Sequence, residues 1–373
     1  MYTCYVCDDT LNSENETVEH IVLNAIGGKL KSRRLICRDC NSKFGSKIDT
    51  ELAKQLSSFC TLLNIQRESG TPQSIKGKYK NTEVFIEPGG KIKRVKPEIK
   101  VDGNRYHIVT SDMSQARTVL KGLKRKFPKL NIEEELEKST ASKQYIQSIK
   151  IGFSIGGKEA MQSVCKSAIN FYMLNNGEKE YIKHLIPYIQ GKDDEAEIYY
   201  FYPNTELFFK DEDEIFHSLI LIGDPLSKKL MVYVELFNEL KFLVILNREY
   251  VGEKIYQAYH YNVVKNEVVE FDREIIITNR DIKKFAKREL EPDKVSHRVS
   301  LLMMKIDKIM VDRKINEITT AAMAKMLEKY PQETNPYFTS EMLSFISNEV
   351  ATEFVLSFQH RMFGKEDGEE IDF

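Results

Sequence analysis

The spacing of apolar residues changes character several times along the chain, and each change marks an element. Val18-Glu19-His20-Ile21-Val22 is a short apolar-flanked run with the face-to-face alternation of a strand. Gly27-Gly28 then turns the chain, Leu35-Ile36-Cys37 predicts a returning strand, and Asn41 opens a predicted helix that runs through Leu52 and beyond. From Asp49 to Ile65 the residues Leu52, Leu56, Phe59, Leu62 and Leu63 fall on one helical face. Arg67–Ser74, with Gly70 and Pro72, reads as a linker. Beyond it, strand-like pieces at Glu83–Ile86, Ile92–Val95 and Tyr106–Val109 are broken by Pro88-Gly89-Gly90 and Asp102-Gly103, and a helix is predicted from Ser111 to Phe127.

The second half alternates in the same way. Tyr145–Phe153 predicts a strand, and Gly157–Leu174 and Glu178–Tyr188 predict helices. Ile215–Ile222, Leu230–Leu236 and Leu240–Leu246 read as an antiparallel meander with one buried face, turning at Gly223-Asp224-Pro225 and Asn238. From Asn279 the pattern is helical, over Asp281–Arg288, Ser296–Tyr330 and Ser340–Phe363, with breaks at Pro292, Pro331 and Pro336. Met303, Met304, Met310, Met323 and Met326 along the middle helix read as adaptable core packing, the alternative being a seam in a homo-oligomer. The tail after Gly364 is acidic and reads as frayed. Together these elements predict an α+β fold: an N-terminal module at 1–66, a mixed domain at 76–278 whose first part is basic, and a helical C-terminal part at 279–373.

Four of the six cysteines change the picture. Cys4-Tyr5-Val6-Cys7 and Cys37-Arg38-Asp39-Cys40 are two Cys-x-x-Cys turns, each offering two sulfurs to one ion, and together they complete a tetrahedral, closed zinc site. Cys60 and Cys165 lie in apolar, helix-like settings and read as buried free thiols. No basic region followed by an apolar run opens the sequence, and the apolar stretches are too short to span a bilayer. A reducing cytoplasm, with no membrane partner, is the expected setting.

With Glu19-His20-Ile21, Gly27-Gly28, Asn41 directly after the last cysteine, Phe44-Gly45 and Ile48-Asp49 added, the first sixty or so residues resemble the zinc-containing ββα-metal branch of the HNH endonucleases. The resemblance implies a zinc-pinned hairpin and helix. It implies His20 as the general base that takes a proton from the attacking water, a task suited to an imidazole. It implies Glu19 and Asn41 as ligands of a catalytic divalent ion, Mg²⁺ or another. Asp49 is open between a third acidic ligand and a cap or helix-face residue. The family's middle Asn has no counterpart: Ser32, Arg33 and Arg34 fill that region, so the residue orienting His20 is unassigned.

Charge adds a substrate class. The net charge is −1, but Lys29–Lys47 holds seven basic residues against Asp39 alone, a balance of +6. Lys29, Lys31, Arg33, Arg34, Arg38 and Lys43 are accordingly expected to meet nucleic-acid phosphates. Lys76–Lys129 carries fifteen basic residues against five acidic, +10, either a second phosphate-binding surface or solvated lysines. Lys192–Glu214 balances them at −7. The expected function is a metal-dependent endonuclease on DNA, double-stranded DNA before RNA, with a C-terminal part that selects substrate or answers to a regulatory protein or ligand. Defence against phage DNA is expected by analogy with nucleases of this build. The alternative is a zinc-stabilised nucleic-acid-binding module that does not cut.

Overall fold

The computed structural model describes residues 2–362 apart from 69, 80–81, 104, 141–148, 204, 272–273, 287–291 and 332–336. The chain gathers into two compact units, each assembled from two stretches: residues 1–73 with 153–308, and 74–152 with 309–373. The secondary structure is α+β.

In the first unit the N-terminal hairpin is short. Glu19–His20 pairs with Lys31–Ser32, in the register Glu19 opposite Ser32. The returning strand is therefore earlier than Leu35–Cys37, whose contribution is a single bridge from Cys37 to Glu16. Both glycines of the connection are required. Gly27 has φ +94°, and a Cβ on Gly28 would stand 1.9 Å from the Val22 carbonyl oxygen. The helix begins at Arg38 with Cys37 as its cap, so Asn41 lies one turn inside and does not open it. It passes through a π turn at Gly45–Asp49 and continues as Thr50–Leu63. Such turns often mark sites where a side chain must be re-aimed. Here the turn ends on Asp49.

The body of this unit is a six-stranded antiparallel sheet. Its spatial order is Glu267–Val269, Ile255–Asn262, Phe216–Asp224, Lys229–Leu236, Leu240–Asn247, Ile198–Tyr200. The meander expected to bury one face buries both, and every residue of Lys229–Leu236 is buried. One face meets the Lys158–Leu174 helix. The other closes over Phe201, Phe208, Tyr233, Ile275, Ile282 and Phe285, the last two from the Asn279–Ala286 helix. Continuous apolar runs such as Leu219–Leu221 are the sequence trace of a strand covered on both sides. Glu178–Tyr188 forms two 3₁₀ turns and the short Ile186–Ile189 helix in place of one helix.

The second unit has a three-stranded antiparallel sheet, Ile75–Tyr79, Thr82–Ile86 and Ile92–Arg94, and a hairpin of Glu98–Asp102 with Arg105–Val109. The Met113–Lys124 helix is capped by Asp112, which accepts from the Gln115 amide. The Pro292–Lys329 helix spends its later turns here, and Ser340–Met362 packs beside them, with Lys325 bonded to Glu349 at 2.5 Å. Met326 is buried, whereas Met323 is exposed. The strand expected at Tyr145–Phe153 begins outside the described residues, as do the Pro336 break and the acidic tail. Lys150 makes one bridge to Lys78.

Candidate active site

The two cysteine turns converge. The Asp8 amide donates to the Cys4 carbonyl at 2.9 Å and closes the first turn, while the helix cap supplies Cys37 and its first turn Cys40. All four sulfurs lie within 4.8 Å of one another, and Cys7 Sγ and Cys37 Sγ are 3.7 Å apart. Thiolates about 2.3 Å from one zinc ion stand about 3.8 Å from each other at tetrahedral angles. Cys4, Cys7, Cys37 and Cys40 fit a structural Zn²⁺.

Next to it, Glu19, His20, Asn41 and Asp49 line one cavity of about 200 Å³. The hairpin supplies the first two, the helix the third and the π turn the fourth. Asn41 is held by its own nitrogen, which donates to Thr17 Oγ1 and the Val18 carbonyl, both at 3.2 Å. That leaves Oδ1 as the acceptor of the amide. Three hard oxygen donors on one small cavity are a set that suits Mg²⁺ or a similar ion.

A residue from far along the chain joins them. Lys166, on the Lys158–Leu174 helix and 1% exposed, bonds Glu19 Oε1 and lies 2.8 Å from Asp49 Oδ2. Asn170 donates to Glu19 Oε1 at 2.7 Å and accepts from the Tyr5 hydroxyl at 2.7 Å, and Ser163 donates to Asp49 Oδ1 at 2.7 Å. Burial pushes the Glu19 carboxyl above its ordinary range, against the pull of Lys166. Burial alone would push the Lys166 ammonium down; the two carboxylates outweigh it and hold it above the ordinary lysine value. The lysine is therefore a fixed positive charge at neutral pH.

His20 stands at the rim of this network. Its Nε2 lies 3.3 Å from Glu68 Oε2, without the alignment of a hydrogen bond. Glu68 is anchored by its backbone amide on Asn24 Oδ1 at 3.1 Å and by Lys31 at 2.5 Å. Burial lowers the His20 pKa below its usual value, more than Glu68 raises it. A neutral imidazole, able to accept a proton, results.

These observations agree with the family comparison. Residues 4–57 match the family model described as HNH endonuclease. Comparison with curated proteins and with solved structures gives no match. The HNH segment thus covers the hairpin, the helix as far as residue 57 and all four cysteines, and Lys166, Asn170, Ser163 and Glu68 lie outside it.

Of the basic residues around the HNH segment, Lys31, Arg33, Arg34, Arg38 and Lys43 are exposed and Lys29 is half-buried. Some are already engaged: Lys31 with Glu68, Arg33 with Glu16 at 3.2 Å, and Arg34 stacked 4.8 Å over the Tyr2 ring. A larger cleft, about 880 Å³, lies elsewhere in the same unit, among Phe208, Phe209, Lys210, Glu239, Arg298 and Lys305. It shares none of the HNH residues, and the smaller cavity is the one lined by Glu19, His20, Asn41 and Asp49. Among the described residues no helix is long and apolar enough to cross a membrane.

Proposed function

We propose that the protein is an endonuclease that hydrolyses phosphodiester bonds in DNA, with the HNH segment as its cutting site. The observation that carries this is one cavity lined by a half-buried imidazole, an amide and two carboxylates, all four from a segment that matches the HNH endonuclease family. His20 takes the proton from water as its oxygen attacks phosphorus, and the 3′-oxygen departs. A general base with a pKa below neutrality is in its accepting form at pH 7. Glu19 and Asn41, with Asp49, would hold a divalent ion, Mg²⁺ being the usual choice for such oxygen donors. Such an ion supplies stabilisation of negative charge on phosphate and leaving oxygen. Tyr5, Asn170 and Ser163 fix the carboxylates in place.

Lys29, Lys31, Arg33, Arg34, Arg38 and Lys43 would position the backbone of the nucleic acid, with Lys121, Lys124, Arg125 and Lys126 offering a second basic surface. Duplex DNA is favoured over RNA, and a role in defence against foreign DNA is suggested, by the resemblance of this segment alone. The 880 Å³ cleft is the natural place for a regulatory ligand. A second reading, a zinc-stabilised binding module without cleavage, is favoured by one observation: Lys166 already occupies the carboxylate pair. The deciding experiment incubates the full chain with supercoiled plasmid and with RNA, in Mg²⁺, Mn²⁺ or chelator. Ion-dependent nicking of plasmid supports the endonuclease. Binding without nicking in every ion supports the second reading.

A further inference from the structure

The HNH cavity contains a cation supplied by the chain itself. Ser163, Lys166 and Asn170 follow one another at spacings of three and four residues along one face of a helix outside the HNH segment, and each bonds a carboxylate on the cavity wall. A buried carboxylate, Glu19, and a partly buried one, Asp49, on one wall repel unless a positive charge lies between them. Lys166 is that charge, and it also lines the cavity itself. A divalent ion bound by the same carboxylates competes with it for the same oxygens and is repelled by it at close range.

We propose that Lys166 is a built-in counter-cation that holds the Glu19–Asp49 pair until a divalent ion takes its place, so that this lysine sets the ion affinity of the site. The exchange balances: the ammonium leaves its two carboxylates for the cavity it lines, the ion's charge replaces it there, and the two acids are never left unpaired. The inference rests on reading Glu19, Asn41 and Asp49 as an ion site. Its failure is distinguishable from failure of the nuclease reading because ion binding is measured without any cleavage.

The test is Mn²⁺ binding to the full-length, zinc-loaded protein, followed by electron paramagnetic resonance of free Mn²⁺, beside thermal unfolding with and without the ion. Lys166→Met should bind Mn²⁺ more tightly than wild type, by about tenfold or more. It should melt lower than wild type in chelator and regain stability when Mn²⁺ is added. Adding Glu19→Gln to that variant should remove the gain in affinity. A lysine that only props the helix against the HNH segment would lower stability with no gain in affinity and no ion-dependent recovery, and that result overturns the proposal. A Lys166→Met protein that stays unfolded at millimolar Mn²⁺ overturns it equally, since the ion would then be unable to take the lysine's place.

Discussion

Replacing His217 with glutamine isolates one source of acid sensitivity in the fold. His217 is 1% exposed in the central sheet, and its Nε2 lies 2.8 Å from the Ile26 carbonyl in the connection of the HNH hairpin. Its Nδ1 accepts the Phe237 amide at 3.3 Å, so Nε2 carries the proton and donates. A second proton would have to enter at Nδ1, against an N–H and in the buried interior of the sheet. Burial accordingly pushes the ring from 6.5 down to about 4. The unfolded chain binds that proton near pH 6.5 and the folded chain only near 4, so stability is full above 6.5 and falls as pH drops through this window. At about 1.4 kcal/mol for each pH unit, the loss is on the order of 3 kcal/mol. His260, 3% exposed and also pushed down to about 4 by burial, adds a similar loss. Above pH 6.5 the glutamine variant should be less stable than wild type by about 1–3 kcal/mol, for imperfectly replaced hydrogen bonds. Urea unfolding of both proteins above pH 6.5 and below pH 4 measures the gap, from which losses common to both, such as zinc release in acid, cancel. The gap should close by about 3 kcal/mol on the acid side and can reverse sign. A gap that does not change with pH would refute the reasoning.

Two further outcomes follow from the metal and charge arrangement. Cys37→Ser should lose zinc and melt at a lower temperature, because the substitution removes one of four sulfur donors whose binding of the ion is coupled to folding; elemental analysis showing a full zinc complement in the variant would contradict this. Alanine at Lys121, Lys124, Arg125 and Lys126 should flatten the dependence of DNA affinity on salt, by about 0.9 in logarithmic slope for each phosphate no longer neutralised. If the slope survives that change while Arg33→Ala and Arg34→Ala abolish it, the HNH segment binds its substrate alone.

How much of this was legible in the sequence depends on how local the cause is. The cysteine turns, Glu19-His20 and Gly27-Gly28 announce themselves because a metal knuckle, an acid–base pair and a tight turn each need particular residues at fixed spacing. The long apolar runs identified the central strands, but not that both faces were covered, since the covering helix lies more than forty residues away in sequence. The lysine in the cavity was not legible at all. Ser163, Lys166, Ser167 and Asn170 recur at helical spacing as a polar stripe, and such a stripe reads as a solvent face; all four are buried. The helix's other face is apolar through Val164, Cys165, Ala168 and Ile169, which only strengthens that amphipathic reading, and no local signal tells against it. Glu68 leaves no signal, since it sits in a stretch that reads only as linker.

His20 is the residue on which the endonuclease reading depends. Single-turnover cleavage of plasmid DNA should fall by roughly 10²–10⁴ in His20→Ala, the worth of a general base, while zinc content and DNA affinity match wild type, because neither the sulfur ligands nor the phosphate-binding residues are touched. Wild-type cleavage rates in His20→Ala would contradict it and move the cutting site elsewhere in the chain.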